Sequence, residues 1–566
     1  MRSFLKTLKR IFGSRRGHEV HPEDILLDAH NLPQFDQHQM EGRFARRISF
    51  RVIATTGIVF ALIAVVYAGR LANLQIIGGE AFAQRSQQNR LRHDLIFSER
   101  GTIFDRDRTQ LAWNYTASSS PDFAHRGYAT TSGLAHVLGY LKYPSQDSSG
   151  VYYRESYEGK SGVEEMFDGY LSGTNGVKII EIDATNDVRS ESTVRPPEDG
   201  RNLQLAIDAD VQHKLFELLR QRVNESGFRG GAGAIMDVET GELLALTSYP
   251  EHNPQVMTDG DRAGIEEIQA REGNPFLNRA VAGSFVAGSI VKPYLALGAL
   301  NEGIISPQKT IVSTGVLEVP NPYDPDNPTK FTDWKAHGAV DMREALAVSS
   351  NVYFYQIGGG YEGQPGLGIT KIKKYMNMFG FGEETGIDLS GEKTGVIPSP
   401  EWKQANFDDQ IWRVGDTYNT SIGQYGVLVT PLQALRAVAS IANGGHLVRP
   451  TVLQSDRSQI GDERDIPIAD HSFQVVREGM RRAVTSGTAS GLNTSYLRVA
   501  AKTGTAEIGK ASVNSWVTGF YPYDNPQYAF TILLERGPRE NLYGGVWVMR
   551  NLLDWMHQEQ PMYTTF

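Results

Sequence analysis

An uncharged run near the N-terminus constrains this chain more than any other feature. From Val52 to Gly69 the sequence has no charged side chain, and Arg51 and Arg70 bound the run. As an α-helix this run covers about 27 Å, which is close to the hydrocarbon thickness of a bilayer. Its length and the tail before it do not fit a cleavable signal peptide. A buried core helix is the alternative, but such helices usually keep a polar face. We predict a transmembrane helix over residues 52–70.

The charges around this run predict its orientation. Four arginines crowd its N-terminal side, namely Arg43, Arg46, Arg47 and Arg51. Positive charge tends to remain on the cytoplasmic side of a membrane. We therefore expect residues 1–51 to form a cytoplasmic tail, with the remainder of the chain on the extracytoplasmic (periplasmic) side of the inner membrane. Arginines beyond the span weaken this bias, but long domains translocate largely regardless of charge.

Composition excludes several functional classes. The 566 residues suffice for several domains, and 56 Lys and Arg against 65 Asp and Glu leave a net charge of −9. A mildly acidic chain does not indicate nucleic-acid binding, which needs clustered basic charge. There is no cysteine, so disulfides, thiolate metal sites and a cysteine nucleophile are excluded.

Two segments with different sequence patterns follow the predicted transmembrane helix. Residues 71–228 show short apolar runs punctuated by glycine, a strand-and-turn pattern, and contain no plausible pair of nucleophile and base. We predict a non-catalytic pedestal there. Residues 229–560 begin and end with strand patterns around a helical middle. The predicted strands are Ala232–Val238, Leu243–Ser248, Ser515–Tyr521 and Tyr528–Glu535, and the predicted helices include Ser289–Asn301, Val340–Gly358, Ile369–Phe379 and Leu432–Asn443. This order predicts one sheet built from both ends of the domain, with helices packed on it.

The first candidate motif is Ser289-Ile290-Val291-Lys292. The Ser-x-x-Lys pattern also occurs at Ser3/Lys6, Ser306/Lys309 and Ser390/Lys393, but only Ser289 opens a long apolar helix. Positions i and i+3 share a helix face, so the amine of Lys292 can reach the hydroxyl of Ser289. A lysine acts as a base near neutral pH only when burial or a neighbouring cation lowers its pKa. A helix-opening serine beside a solvated lysine is the alternative.

The second motif, Ser349-Ser350-Asn351, interrupts the apolar run EALAVSSNVYFYQ. Small polar groups are costly to bury unless they are hydrogen-bonded. The motif is therefore either an ordinary helix break or a hydroxyl and an amide that line a cleft.

The third motif is Lys502-Thr503-Gly504-Thr505. It follows the apolar RVAA run and precedes the strand-rich C-terminus, whereas its rival Lys393-Thr394-Gly395 lies in a loop pattern. A glycine in a strand lets another backbone or a ligand approach closely. On such an edge Lys502, Thr503 and Thr505 would hold a carboxylate; the alternative is a solvated turn.

In this order the three motifs form a set known from penicillin-binding proteins and serine β-lactamases. The sequence resembles the class B penicillin-binding proteins, the monofunctional peptidoglycan DD-transpeptidases, and is most similar to their elongation-type members. Supporting segments are SERGTIFDRDRTQLAWN, GKSGVEEMFDGYLSG, NPFLNRAVAG and GDTYNTSIGQ. The resemblance implies an α+β fold with a transmembrane anchor, a β-rich pedestal similar to the family's dimerisation domain, and a serine β-lactamase-like transpeptidase domain with an antiparallel sheet and flanking helices.

The resemblance also implies roles for individual residues. Ser289 would attack the carbonyl between the two terminal D-alanines of a stem peptide, and Lys292 would be its base. Ser349 would relay a proton to the leaving amine, and Asn351 would bind Lys292 and the peptide. Lys502 would lower the proton affinity of Lys292. The substrate-binding residues would be Thr503, Gly504 and Thr505, the oxyanion would bind the N–H groups of Ser289 and Thr505, and a β-lactam would acylate Ser289.

The implied partners are peptidoglycan stem peptides and a RodA-like membrane glycosyltransferase, and no cofactor is implied. Some relatives bind a structural zinc near Asp333 and His337 with a cysteine ligand. Because this chain has no cysteine, we predict no metal. Ala287 replaces the usual proline, and Gln424-Tyr425-Gly426 departs from the commoner Gln-Gly. Three alternative functions share parts of this pattern: a soluble β-lactamase, which the anchor argues against, a division-type class B enzyme, and a catalytically silent scaffold for a glycosyltransferase.

Overall fold

A computed structural model gives the fold of this chain. It describes residues 49–80, 91–117, 120–182, 188–321, 324, 326–408, 410–454, 464–540 and 544–566. Residues 1–48 of the predicted cytoplasmic tail, which was assigned to residues 1–51, lie outside the described residues. The chain divides into two compact units, residues 1–89 and 90–566, which are described separately.

The N-terminal unit contains the apolar helix. Helix α1 (Phe50–Ala72) has 23 residues and continues as a π-helical turn over Asn73–Ile77. Its length is about 35 Å, more than the ~30 Å of a bilayer core. Within the part of the chain that the structure describes, it is the one helix long and apolar enough to cross a membrane. All of residues 52–70 are helical, as the sequence predicted.

The second unit begins with small sheets. Its first strands are β1 (Leu91–Ile96), β2 (Ile103–Phe104), β3 (Gln110–Ala117), β4 (Ser120–Tyr128), β5 (Leu141–Lys142), β6 (Ser145–Gln146), β7 (Tyr152–Arg154), β8 (Glu158–Gly159), β9 (Gly176–Ile182), β10 (Val188–Arg195) and β11 (Leu203–Gln204). Short helices α2 (Ala135–Leu138), α3 (Gly162–Met166) and α4 (Asp168–Leu171) lie between them. One sheet has the order β1-β9-β10 and another β11-β2-β3-β4. The β-rich pedestal predicted from the sequence is confirmed.

A buried carboxylate ties the pedestal together. Glu164 accepts hydrogen bonds from Nε of Arg100 at 2.6 Å and Nε of Arg126 at 2.8 Å, and all three side chains are fully buried. Burial alone would raise the pKa of the Glu164 carboxyl, but the two guanidinium groups outweigh it and lower that pKa. The ion triad therefore links β4 and α3 to the segment before β2.

One helix departs from the strand-and-turn pattern expected for residues 71–228. Helix α5 (Ala209–Ser226) has 18 residues, begins at the cap Asp208 and ends at Gly227 in the left-handed conformation. Its buried residues recur at helical spacing and include Val211, Leu215, Leu218, Leu219 and Val223, a signal that the sequence already contained. The helix packs on the sheet of the following segment. We propose that it belongs with that sheet; the domain bounds 71–228 and 229–560 stay a prediction.

The remaining elements form the second part of this unit. The strands are β12 (Gly230–Asp237), β13 (Leu243–Tyr249), β14 (Phe285–Val286), β15 (Ile311–Ser313), β16 (Val316–Val319), β17 (Thr329–Thr332), β18 (Gly338–Val340), β19 (Leu428–Val429), β20 (His446–Leu447), β21 (Arg464–Asp465), β22 (Ala500–Ile508), β23 (Ser512–Tyr521) and β24 (Tyr528–Pro538). The helices are α6 (Pro254–Asp259), α7 (Arg262–Ala270), α8 (Lys292–Asn301), α9 (Met342–Ala347), α10 (Asn351–Gly359), α11 (Gly368–Met378), α12 (Pro400–Asn406), α13 (Val414–Ser421), α14 (Pro431–Ala442), α15 (Asp470–Thr485) and α16 (Gly545–Glu559).

Five of these strands form the central sheet. Their order is β13-β12-β24-β23-β22, and every neighbouring pair is antiparallel. Helices α5 and α16 pack on one face and α14 packs on the other. Strands from both ends of the domain thus share one sheet, as predicted. Strand β22, which carries the Lys502 motif, is an edge strand and leaves one side of its backbone open to a ligand.

The helix predicted over Val340–Gly358 is wrong as a single element. The chain forms α9, turns at residues 348–350 and begins α10 at Asn351. Ser349 adopts a φ of 58°, a left-handed conformation that ends a helix. The Ser350 hydroxyl then accepts a hydrogen bond from the N–H of Tyr353 and caps α10. We call residues 349–351 the serine corner.

Candidate active site

The Ser289 motif opens a helix by way of a tight turn. Residues Gly288–Val291 form one 3₁₀ turn, and α8 begins at Lys292 with Pro293 in its first turn, where no intrahelical N–H is lost. Gly288 has a φ of 58°, and a Cβ there would lie 3.1 Å from the Cβ of Ala506. Glycine is favoured at this position both by the backbone conformation and by the close approach of β22.

Strand β22 packs directly against this turn. A Cβ on Gly504 would lie 2.9 Å from Cγ2 of Ile290 and 3.1 Å from the carbonyl oxygen of Ala287. The missing side chain of Gly504 therefore lets the Lys502 strand approach the Ser289 turn. Ser289 itself is half-buried, Thr503 is half-buried and Thr505 is exposed, so all three side chains are accessible to a ligand.

The amine of Lys292 reaches the serine corner. Its Nζ donates to the carbonyl oxygen of Ser349 at 2.7 Å and to Oδ1 of Asn351 at 2.8 Å, and it lies 3.3 Å from the Ser349 hydroxyl. The side chain is completely buried. Burial lowers the pKa of Lys292 to about 7, although the charge of Asp333 acts in the opposite direction. Lys292 can therefore be a neutral amine near physiological pH.

The second lysine reaches the same hydroxyl. Nζ of Lys502 donates to Oγ of Ser349 at 2.8 Å and to the carbonyl oxygen of Thr503 at 2.8 Å. Lys502 is completely buried as well. Burial lowers its pKa well below the ordinary value, and the positive charge of Lys292 lowers it further. Two amines near one hydroxyl disfavour each other's protonation, so the pair titrates as a coupled unit.

The structure thus brings together all the residues that the sequence selected: Ser289, Lys292, Ser349, Asn351, Lys502, Thr503, Gly504 and Thr505. The rival pairs are placed differently. Ser306 and Ser390 are exposed, and so are their lysines, Lys309 and Lys393. Lys393 lies outside any strand, and the pair Ser3/Lys6 lies outside the described residues.

Sequence reasoning missed the residue that holds the serine corner. Oδ2 of Asp333 accepts hydrogen bonds from Oγ of Ser350 at 2.8 Å, from N of Val352 at 3.1 Å and from Oγ of Ser313 at 3.1 Å. Its Oδ1 accepts from N of Trp334 at 2.9 Å. Burial would raise the pKa of the Asp333 carboxyl, but hydrogen bonds from the backbone of Asn351 and Val352 and from the Ser350 hydroxyl, together with the charge of Lys292, lower it. Nothing in the spacing of Asp333 along the chain signals this contact.

The zinc set of some relatives does not fit here. Nε2 of His337 lies 3.6 Å from Oδ1 of Asp333, but Asp333 already accepts four hydrogen bonds from the protein. Among the residues that the structure describes, no group of three or more metal-binding side chains is present, and the sequence has no cysteine.

Comparison with known proteins identifies the family. Residues 231–551 match the penicillin binding protein transpeptidase domain, and residues 122–205 match the penicillin-binding protein dimerisation domain. The chain belongs to the penicillin-binding protein transpeptidase family. The region that matches the transpeptidase domain contains the central sheet and all three motifs of this chain. The region that matches the dimerisation domain falls on its β-rich pedestal.

Curated relatives of this protein include peptidoglycan D,D-transpeptidases. It is 32% identical over 435 residues to the peptidoglycan D,D-transpeptidase MrdA of Acinetobacter baumannii, a match that covers 71% of this chain and 62% of that relative. It is 30% identical over 470 residues to the MrdA of Escherichia coli K12, covering 76% of this chain and 71% of that one.

Solved structures of PBP2 proteins are also similar to this chain. A complex of PBP2 and MreC from Helicobacter pylori matches with a TM-score of 0.68 and 28% identity, over 83% of this chain and 99% of that one. Pseudomonas aeruginosa PBP2 in complex with WCK 5153 matches with a TM-score of 0.68 and 27% identity, over 84% and 98%. The PBP2-like two-domain fold expected from the sequence is confirmed.

Proposed function

We propose that this protein is a peptidoglycan D,D-transpeptidase of the elongation type, which cross-links stem peptides through an acyl-enzyme on Ser289. One observation carries the proposal: two buried lysine amines converge on the Ser349 hydroxyl, beside the turn that presents Ser289. The MrdA relatives support the elongation type.

Lys292 is suited to act as the base. A neutral amine has two N–H groups, and here two acceptors, the Ser349 carbonyl and Asn351 Oδ1, engage them. The lone pair then remains to accept the hydroxyl proton of Ser289, one turn earlier on the same helix face. Oγ of Ser289 bonds to the carbonyl carbon between the two D-alanines and gives a tetrahedral oxyanion. The N–H groups of Ser289 and Thr505 would bind that oxyanion.

Ser349 is suited to pass a proton to the leaving group. Its Oγ accepts from Lys502, so its own hydrogen is free to go to the departing amine of D-alanine while a lysine proton replaces it. The C–N bond breaks, and the acyl group remains on Ser289. The proton that replaces the Ser349 hydrogen comes from Lys292, which lies 3.3 Å from that hydroxyl and returns to the neutral amine. An amine of a second stem peptide then attacks the ester and gives up a proton to Lys292. The Ser289 oxygen receives this proton from Lys292 as its bond to the acyl carbon breaks. Lys502, Thr503 and Thr505 would bind the terminal carboxylate of the first peptide.

The location and partners follow from the same proposal. We place α1 in the inner membrane as a single span, with the N-terminus in the cytoplasm and residues from 71 onward in the periplasm. A RodA-like glycosyltransferase is the proposed membrane partner. In support, the similar PBP2 of Helicobacter pylori forms a complex with MreC, and a peptidoglycan synthase complex matches this chain with a TM-score of 0.65 at 25% identity.

A labelling experiment tests the nucleophile. The full-length chain in detergent is incubated with a fluorescent penicillin, and the site of the adduct is located by mass spectrometry. We expect one adduct on Ser289, no label on Ser289→Ala and normal label on Ser390→Ala, the matched control from the exposed Ser-x-x-Lys pattern. An unlabelled wild-type protein, or label that persists in Ser289→Ala, contradicts the proposal.

A depletion experiment tests the elongation type. Cells that lose an elongation enzyme become round, and cells that lose a division enzyme form filaments. We expect rounding, rescued by the wild-type gene and not by Ser289→Ala. Filamentation would assign the protein to division, and rescue by Ser289→Ala would indicate a scaffold whose acylation is dispensable.

A further inference from the structure

A second threonine hydroxyl lies beside the substrate-binding strand. Oγ1 of Thr488 is 2.6 Å from Oγ1 of Thr503, which is a strong hydrogen bond between two half-buried side chains. Thr488 lies in the loop after α15 and is part of none of the three motifs. The mechanism above assigns a role to Thr503 and none to Thr488.

The loop that carries Thr488 is fixed to the end of α9, two residues before the serine corner begins at Ser349. The N–H of Thr488 donates to the carbonyl oxygen of Ala347 at 3.1 Å. A Cβ on Gly487 would lie 2.2 Å from the same oxygen, so a side chain at that position would push the loop away. Ala347 is the last residue of α9, two positions before Ser349. Thr488 therefore connects the serine corner to β22, two elements that must keep their spacing in the active site.

The hydrogen bond has a direction that matters for chemistry. A hydroxyl has a single hydrogen to donate. If Thr503 donated it to Thr488, it would have none for an anion. If Thr488 donates, the hydrogen of Thr503 stays available, and the donor to a carboxylate is itself polarised. We propose that Thr488 is a positioning residue that donates its hydroxyl hydrogen to Thr503, so that Thr503 donates to the terminal carboxylate of the substrate.

This inference rests on the proposed function, because it assumes that Thr503 meets a carboxylate. It adds a role for Thr488 in the selectivity between charged and neutral ligands. The contribution of Thr488 depends on the charge of the ligand, since hydrogen bonds to ionised acceptors are stronger than those to neutral ones. A loop residue that only supported the fold would affect charged and neutral ligands equally.

The test compares benzylpenicillin with its neutral methyl ester. Acylation rate constants are measured by intact mass on the full-length protein in detergent, for the wild type, Thr488→Val, Thr488→Ala, Thr488→Ser and Thr503→Val. We expect Thr488→Val and Thr488→Ala to lose about tenfold toward the acid and less than about twofold toward the ester. Thr488→Ser should remain within about twofold of the wild type with both ligands. The double variant Thr488→Val/Thr503→Val should be no slower than Thr503→Val.

The ratio of the two rates in one sample is independent of the folded fraction, so partial misfolding of a variant does not obscure the result. An unchanged or increased acid-to-ester ratio in Thr488→Val overturns the inference, and so do additive effects in the double variant. The proposed function fails separately, by loss of Ser289 labelling in the wild type.

Discussion

Replacing Asp333 by asparagine tests whether one buried carboxylate sets the geometry of the active site. The carboxylate accepts hydrogen bonds from Ser350 in the serine corner, from the next helix at the backbone of Val352, and from Ser313 and the backbone of Trp334. An asparagine has the same shape but only one acceptor oxygen and no charge. Whichever way its amide turns, at least one of these hydrogen bonds is lost and the others weaken.

The expected cost follows from these contacts. Hydrogen bonds to charged groups contribute about 1.5–3 kcal/mol each, so we expect Asp333→Asn to lower the free energy of unfolding by about 2–4 kcal/mol. Ser349 is held at a φ of 58°, a conformation that costs on the order of 1 kcal/mol and relaxes when its surroundings loosen. A displacement of about 1 Å in a catalytic group reduces a rate about 10²-fold. We therefore expect penicillin acylation to be about 10- to 100-fold slower.

Urea titration of the full-length protein in detergent measures the first effect, and the rate of fluorescent-penicillin labelling measures the second. The matched control is Asp524→Asn. Asp524 pairs with Arg498 at 2.7 Å, and both side chains are more than half exposed, so its loss should change the stability by less than about 1 kcal/mol. If Asp333→Asn acylates at the wild-type rate and unfolds like the control, the positioning role of Asp333 is refuted.

Two further predictions concern charges elsewhere. Because burial lowers the pKa of Lys292 to about 7, penicillin acylation should rise with pH below about 7 and level off above it; a rate that is flat from pH 5 to 8 would exclude Lys292 as the base. Glu164→Gln should lower the free energy of unfolding at neutral pH by about 3–5 kcal/mol, because it leaves Arg126 buried beside a neutral group, while Arg100 keeps only its ion pair with Asp168. The pKa of Glu164 is lowered on folding, so the wild type should lose this contribution as the pH falls below about 4.5 while the variant should not; equal acid sensitivity of the two proteins in urea titrations would contradict this.

Local patterns in the sequence were sufficient to predict several of the helices and strands. Apolar runs and their turn residues predicted α1 and the strands β12, β13, β23 and β24, because burial and backbone conformation are encoded within a few neighbouring residues. Helices α5 and α15 also have buried residues at helical spacing, although neither was among the predicted elements. The pattern was read wrongly once, at the serine corner, where a left-handed Ser349 divides a run that is apolar on both sides.

The sequence by itself determined which chemical groups this protein has: a span without charge, one serine at the start of an apolar helix, two lysines in suitable motifs and no thiol. Only the tertiary structure decided what those groups can do. The low pKa of Lys292 comes from complete burial among segments that are distant in the chain, and the roles of Asp333 and Thr488 come from contacts with Ser350 and Thr503. Desolvation and hydrogen bonding depend on distance in space, and spacing along the chain does not specify that distance.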